Sequence, residues 1–255
     1  MIPAEERADR VALARACRVL AHRGLVEDVL GHVSLRVAPD RVLLRCRGPH
    51  ESGLRFTVPT DVRAVDLDGR IVDGGEDEGY APPSEAPIHL ETLRRRPDAN
   101  AVVHAHPPAV VAAGLADLPL LPIFGSYDIP AARLAAGGIP VYPRSVLVRR
   151  AELAHEMLAV MGDSSVCVLR ALAVDRLSRT ALAVVGAGGT LRPIPHGDLA
   201  ELPDLGAGLN EHTLWRFHLA ALAADGWDLT PDQQADGAEG DALDRRPREQ
   251  DEGAG

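Results

Sequence analysis

Ser84-Glu85-Ala86-Pro87-Ile88-His89-Leu90-Glu91-Thr92-Leu93-Arg94-Arg95-Arg96-Pro97-Asp98-Ala99-Asn100-Ala101-Val102-Val103-His104-Ala105-His106 is the stretch on which the reading of this chain turns. Ser84 is a candidate N-cap, and Pro87 fits only the first turn of a helix, so a helix is expected to open there with Glu85 at its N-terminus. Pro97 ends it. A short β-branched run then presents His104 and His106 two residues apart, which places both imidazoles on one face of a strand. Two imidazoles with a carboxylate carried back by a helix turn supply most of a divalent-metal site. Taken alone, the pair equally fits two buried, hydrogen-bonded histidines.

Outward from this stretch, Ala4 to Arg23 reads as a helix with Leu13, Cys17, Leu20 and Ala21 on one stripe and Gly24 as its stop. Gly31 to Val37 alternates as a half-buried strand, Asp40 marks a turn, and Val42-Leu43-Leu44 pairs back. A third strand is expected over Ala64–Leu67, with Asp68-Gly69 turning before Arg70-Ile71-Val72. Ile139–Tyr142 and Val166–Leu169 read as further strands. A short helix follows Pro107-Pro108 and runs through Ala116, and Glu152 to Val160, Arg170 to Val185 and Asn210 to Ala224 read as further helices. The mixture is α/β, with antiparallel strands early in the chain and helices on both sides.

Composition narrows the chemistry. The 255 residues are 46% hydrophobic and 25% charged, which suits one compact domain, here residues 1–230, followed by a tail at 231–255. That tail holds eight acidic residues and three arginines, half of a net charge of −10, and reads as a disordered, solvated extension. Aromatics are only 3%, so the core must be built from Ala, Val and Leu. All 27 basic residues are arginine. Lysine-dependent Schiff-base aldolases, pyridoxal-phosphate enzymes and Walker-type NTPases are thereby excluded. The acidic balance gives no support to nucleic-acid binding. No stretch is long and apolar enough for a membrane span or orders itself like a signal peptide. Cys17, Cys46 and Cys167 lie far apart and read as small buried hydrophobes of a reduced cytoplasm.

The run Arg96-Pro97-Asp98-Ala99-Asn100-Ala101-Val102-Val103-His104-Ala105-His106, with Ser84-Glu85 before it, resembles the class II aldolase/adducin family. The resemblance extends from about Val11 to about Leu222. It implies a three-layer α/β/α sandwich around a mostly antiparallel central sheet, and a homotetramer with the site at a subunit boundary. It also implies a divalent metal ion (Zn, Mn, Fe or Co) held by His104 and His106, with Glu85 as the catalytic proton donor. Gly31-His32-Val33-Ser34 and Cys46-Arg47-Gly48-Pro49-His50-Glu51-Ser52-Gly53-Leu54 stand where the family's sugar-phosphate aldolases carry G-N-x-S and T-P-x-G. These runs are closer to the family's aromatic decarboxylase branch. The expected reaction is decarboxylation of a dihydroxylated aromatic dicarboxylate, such as 3,4-dihydroxyphthalate, to protocatechuate.

On this reading His32, Ser34, Arg45, Arg47 and Ser84 line the substrate site, with one of the two arginines gripping the second carboxylate. Glu85 can donate a proton only if burial raises its pKa, and its place at a helix N-terminus pulls the other way. His32 equally fits a core residue, and His89 a helix surface.

The pattern breaks at one point. The family's third metal ligand sits in an R-G-H-G turn after a strand, whereas this chain continues Arg170-Ala171-Leu172-Ala173-Val174 with no G-H-G. Either residues of the working protein are absent from this sequence, or the chain is an inactive scaffold like an adducin head, or another group supplies the ligand: Glu85, His196, His212 or His218. A retro-aldol lyase is the rival enzyme activity.

Overall fold

The computed structural model describes residues 4–74, 78–124, 127–162, 168–203 and 208–235. Four strands form one antiparallel sheet: β1 (His32–Ala38), β2 (Arg41–Arg45), β3 (Val62–Asp66) and β4 (Ala101–His104), in the order β3-β2-β1-β4. Nine helices accompany them among the described residues: α1 (Ala4–His22), α2 (Ala86–Arg95), α3 (Pro108–Leu115), α4 (Ile129–Ala136), α5 (Ala151–Met161), α6 (Val168–Gly186), α7 (His196–Glu201), α8 (Leu214–Ala224) and α9 (Pro231–Ala235).

Strand alternation sorts the core into two layers. Val33, Leu43, Val62 and Ala64 face α1, α6 and α8, meeting Leu13, Cys17, Leu20, Leu172 and Trp215. Val42, Leu44, Val65 and Val102 face α2 and α5, meeting Ile88, Leu90, Leu93, Leu153 and Ala154. The architecture is therefore the expected three-layer α/β/α sandwich.

α1 stops where the sequence says it should. Gly24 takes φ +71°, and the Leu25 amide bonds back to the Leu20 carbonyl at 2.9 Å, a glycine-dependent helix end. Arg36 on β1 donates to the carbonyls of Leu93 and Ala99, pinning the last turn of α2 to the sheet. α2 is thus fixed at one end, and its N-terminus projects toward the end of β1 and β4.

Several expectations are corrected. Glu85, not Ser84, is the N-cap of α2, and its side chain makes no cap hydrogen bond because it is turned away to other partners. Ile139–Tyr142 is not a strand; Pro140 and Pro143 each lack the amide that a ladder needs. Of the strand expected at 166–169, Val166 and Cys167 lie outside the described residues, and Val168-Leu169 open α6. Thr213 closes a π-helical turn, Gly208–Thr213, ahead of α8. The tail begins with α9, whose Gln233 receives a bond from Arg18 at 3.4 Å; residues 236–255 lie outside the described part.

Cys17 and Cys46 are buried free thiols, each pushed up to about 12 by burial. Among the described residues, no helix is long and apolar enough to cross a membrane.

Candidate metal centre at the end of α2

The antiparallel pairing of β1 with β4 sets His32 opposite His104. Their rings stack, with centroids 4.6 Å apart and planes 15° from parallel. This close approach depends on Gly31, at φ +88°. A Cβ there would come within 2.7 Å of Val26 Cγ1 and 3.1 Å of the His104 carbonyl oxygen.

β4 ends at His104, so His106 is not on the strand as expected but just beyond it, ahead of Pro107-Pro108. The two imidazoles still converge. Their Nε2 atoms are 2.8 Å apart, with the rings edge to face. Glu85 enters from α2, its Oε2 3.3 Å from His104 Nε2, while its Oε1 accepts the Val148 amide at 3.2 Å.

These contacts crowd one nitrogen. His104 Nε2 faces a carboxylate oxygen and a second imidazole nitrogen together, and a single ring proton cannot satisfy both well. A cation at their common centre satisfies all three. The 3.3 Å between Glu85 Oε2 and His104 Nε2 matches the roughly 3.3 Å between ligands about 2.0–2.1 Å from a tetrahedral ion, whereas the 2.8 Å between the two imidazole nitrogens is shorter. Among the described residues, His32, Glu85 and His104 form the one cluster of three or more in which each offers a ligand atom within 4.8 Å of the others. The donor chemistry of these side chains therefore fits a divalent metal.

Opposed influences act on Glu85. Burial pushes its carboxyl upward, but the hydrogen bond and charge of His104, the Val148 amide and His106 outweigh that, and it lies below the usual range. Glu85 therefore stands ionised, not poised as an acid. Burial, helped by the charge of His104, lowers His106, whereas Glu85 acts to raise it.

Beneath the centre lies a chain that the sequence did not announce. His32 Nδ1 meets His89 Nε2 at 2.6 Å, and His89 Nδ1 meets Ser34 Oγ at 2.7 Å. His89 has no exposed surface, and Ser34 none either. His89, read as a helix-surface residue, thus lies on the face of α2 that packs against β1. Its position one turn after Glu85 was the available signal. Burial holds its imidazole down at about 3. Burial and the charges of His89 and His104 also force His32 far below its ordinary value.

The remaining expectations divide. Arg45 is almost wholly buried and committed to Glu51 by a two-pronged ion pair, with Nη1 to Oε2 at 2.7 Å; it cannot also grip a substrate. Arg47 is exposed, and its charge reaches His32. Ser84 is exposed beside Glu85. Ser34 is engaged by His89 rather than open to a ligand. His196 sits exposed on α7, and His218 is buried on α8, so neither joins the cluster within the chain.

His212 lines a separate cavity of about 640 Å³, mostly apolar, bounded by Leu13, Ala16, Val33, Leu35, Val103 and Trp215. This cavity lies on the opposite face of β1 and β4 from Glu85 and the stacked histidines, and it shares none of the metal-site donors.

Residues 11–176 match the family described as Class II Aldolase and Adducin N-terminal domain. The chain belongs to that family. A 3,4-dihydroxyphthalate decarboxylase of Arthrobacter keyseri is 54% identical, with 84% of this chain and 94% of that protein aligned. The protein of the same name from Rhodococcus jostii is 47% identical, with 84% and 96% aligned. Among solved structures, an aldolase II superfamily protein from Pseudomonas syringae superposes with a TM-score of 0.72 at 23% identity, covering 89% of this chain and 96% of that one. An L-fuculose 1-phosphate aldolase from Glaciozyma antarctica gives 0.68 at 18% identity, covering 89% and 94%. At these identities the structural matches speak for the fold alone.

The alignment to the Arthrobacter relative is longer than the part of this chain that it takes in. It runs over 233 positions but takes in only 84% of these 255 residues, so the relative carries residues that this family member lacks.

Proposed function

We propose that this chain is a divalent-metal-dependent decarboxylase of a dihydroxylated aromatic dicarboxylate of the 3,4-dihydroxyphthalate type, releasing CO2 and leaving protocatechuate. Relatives of 47–54% identity, aligned over 84% of the chain, carry the name 3,4-dihydroxyphthalate decarboxylase. The single structural observation that carries the reading is the convergence of Glu85 on His104, at 3.3 Å, with His106 alongside. An inert scaffold has no need of that convergence.

His104 and His106 are the residues that would hold the ion, with Glu85 beside them. Bound there, a divalent cation supplies Lewis-acid stabilisation for the charge that develops when the ring loses CO2. The side chains manage the proton. Ionised Glu85 accepts it from the substrate hydroxyl beside the departing carboxylate. The C–C bond then breaks, its electron pair staying on the ring carbon as CO2 leaves. Glu85 returns the same proton to that carbon. The product phenolate takes its replacement proton from water on release. The lowered carboxyl keeps Glu85 ionised and able to accept, makes it a weak base for the first transfer, and makes it a strong donor for the second.

Exposed Arg47 is the arginine left to pair with the second carboxylate, since Arg45 is bound to Glu51. The same arginine and the Gly31-His32-Val33-Ser34 variant favour decarboxylation over retro-aldol cleavage. A homo-oligomer, a tetramer in the first instance, is supported by Leu115, Tyr127 and Val141, which leave large apolar side chains exposed. We place it in the cytoplasm on the strength of its free buried thiols.

Glu85→Gln tests the proton role. The variant is expected to retain metal and lose about 10²–10⁴-fold in turnover of 3,4-dihydroxyphthalate. Normal decarboxylation by Glu85→Gln removes Glu85 from the mechanism.

A further inference from the structure

Residues 46–53 leave the end of β2 as a loop, and one carboxylate holds that loop closed. Glu51 accepts from Arg45 Nη1 and Nη2, the former at 2.7 Å, while its Oε1 also accepts the Gly53 amide at 2.7 Å. A counter-ion for buried Arg45 needs only the first pair of contacts. The bond to Gly53 adds something else, because it ties both ends of the loop to a single side chain. Gly53 is fitted to that closure. At φ +83° it lies so near Asp28 that a Cβ would come within 2.3 Å of the Asp28 carbonyl oxygen.

We propose that Glu51 is a positioning residue that, through this loop, holds Arg47 at the separation from Glu85 that selects a ring bearing two adjacent carboxylates. The proposal rests on the decarboxylase reading above, in which Arg47 pairs with the carboxylate that stays on the ring and Glu85 works beside the one that leaves.

The strand register places both side chains at one end of the sheet. β1 begins at His32 where β4 ends at His104, and Ser34 pairs with Leu44 just before β2 ends at Arg45. Arg47 therefore emerges at the sheet end that carries His104, with its side chain exposed. Its backbone is fixed. The Arg47 amide donates to the Ala81 carbonyl at 2.8 Å, and the Ala81 amide donates back to the Arg47 carbonyl at 2.9 Å. From Ala81 the chain reaches Glu85 through Pro82 and Pro83, whose rings fix φ, and the Ala86 amide closes on the Pro83 carbonyl at 2.8 Å. Arg47 and Glu85 thus hang from one stiff bridge. Gly48 braces it from the other side, so close to Tyr80 that a Cβ would come within 2.6 Å of Cε1, and the Arg63 guanidinium lies 4.1 Å from the centre of the Tyr80 ring.

Releasing Glu51 frees the loop that presents Arg47 and leaves Glu85 on α2 untouched. The loss should therefore fall on ligands that carry the second carboxylate, and on KM rather than kcat.

The test is calorimetric binding of protocatechuate and of catechol to the purified full-length chain, with steady-state turnover of 3,4-dihydroxyphthalate on the same samples. Protocatechuate keeps the carboxylate assigned to Arg47, and catechol lacks it. The wild type is expected to bind protocatechuate the more tightly. Glu51→Gln should weaken protocatechuate about 10–100-fold and raise KM to match, with catechol binding and kcat within about twofold of wild type. Arg47→Met should lose at least as much protocatechuate affinity. Adding Glu51→Gln to Arg47→Met should then change that affinity by less than about twofold, because the arginine it positions is gone. A merely structural role for Glu51 would weaken both phenols and lower kcat in either background. If Glu51→Gln does not fold, Arg45→Met with Glu51→Gln removes both charges together, leaves no buried ion unpaired, and is held to the same outcomes.

Unchanged protocatechuate affinity in the Glu51 variant, or an equal loss with and without Arg47, overturns the positioning role, and wild-type turnover then leaves the decarboxylase reading standing. A wild type that follows the binding pattern but leaves 3,4-dihydroxyphthalate intact supports the positioning role and overturns the decarboxylase reading. A wild type that does not separate the two phenols overturns the positioning role outright.

Discussion

Around β2 and β3 the sheet is filled on both faces. Val42, Leu43, Leu44, Val62, Ala64 and Val65 have no exposed surface, and Arg10 is buried beneath them, bonded to Glu6, Asp73 and the Val62 carbonyl. Around β4 the same sheet is hollow. β4 has one partner among the described residues, and a cavity of about 640 Å³ separates the α1-side face of β1 and β4 from α4, α6 and α8. The hollow side is bordered by the start of α6, at Val168 and Leu169. A cavity leaves its lining atoms without partners, because interiors do not flow to close a gap. The candidate metal donors lie on the other face of that sheet, carried by the N-terminus of α2 and by the end of β4 where it pairs with β1.

Matched truncations set the two sides against each other most sharply. Leu43→Ala, in the filled layer, is expected to cost about 2–5 kcal/mol in urea denaturation. Leu35→Ala, half-buried at the cavity wall, should cost well under half as much. Equal costs would mean the hollow is not a hollow in solution.

Acid should separate the regions next. Burial holds the carboxyls of Glu6, Glu51 and Asp73 less firmly than their arginine and amide partners pull them down, so all three lie below normal. Their contribution is present above the unfolded carboxylate pKa and is lost only as pH falls through their lowered values. His32 and His89 are buried neutral and also lowered, but they are bases with an unfolded pKa of about 6.5. The unfolded chain takes up their protons first, so stability is lost as pH falls below about 6.5 and continues to fall toward about 3 for His89. For metal-free protein, going from pH 7.5 to 5.5 should cost about 1 kcal/mol per buried histidine. His89→Gln should remove its share of that slope, as followed by denaturation at both pH values.

The smallest expected effect is a gain. Ala16→Leu points a larger side chain at the cavity and should add up to about 1 kcal/mol, whereas Ala14→Leu on the same helix, at a site with no exposed surface, should lose about 1–3 kcal/mol. Thermal melting of the two variants reads the difference in sign.

The sequence was legible where local pattern and tertiary structure agree. α1 with its glycine stop, the β1–β2–β3 meander and α2 ending ahead of Pro97 all follow from periodicity and turn residues. Glu85, His104 and His106 could be picked out through the resemblance to the family's motif, since the spacing alone equally fits two buried histidines. Pairings across the fold were not legible. Nothing local says that Arg45 is taken by Glu51, or that the β1–β4 register sets His32 against His104. His89 looked like a helix-surface residue because its partners, His32 and Ser34, come from a strand more than fifty residues earlier. Ile139–Tyr142 misled because apolar alternation outweighed the two prolines that forbid a ladder there.

The central claim is that a metal-bearing decarboxylase site persists despite the missing segment. Its most direct test is to purify the chain, measure bound Mn, Fe, Co and Zn, and on the same sample follow CO2 and protocatechuate formation from 3,4-dihydroxyphthalate, with His104→Ala alongside. The account predicts about one metal per chain and product in equal amount to CO2, both lost in His104→Ala. A metal-free chain that cannot be loaded, or a loaded chain that leaves 3,4-dihydroxyphthalate intact, would contradict it.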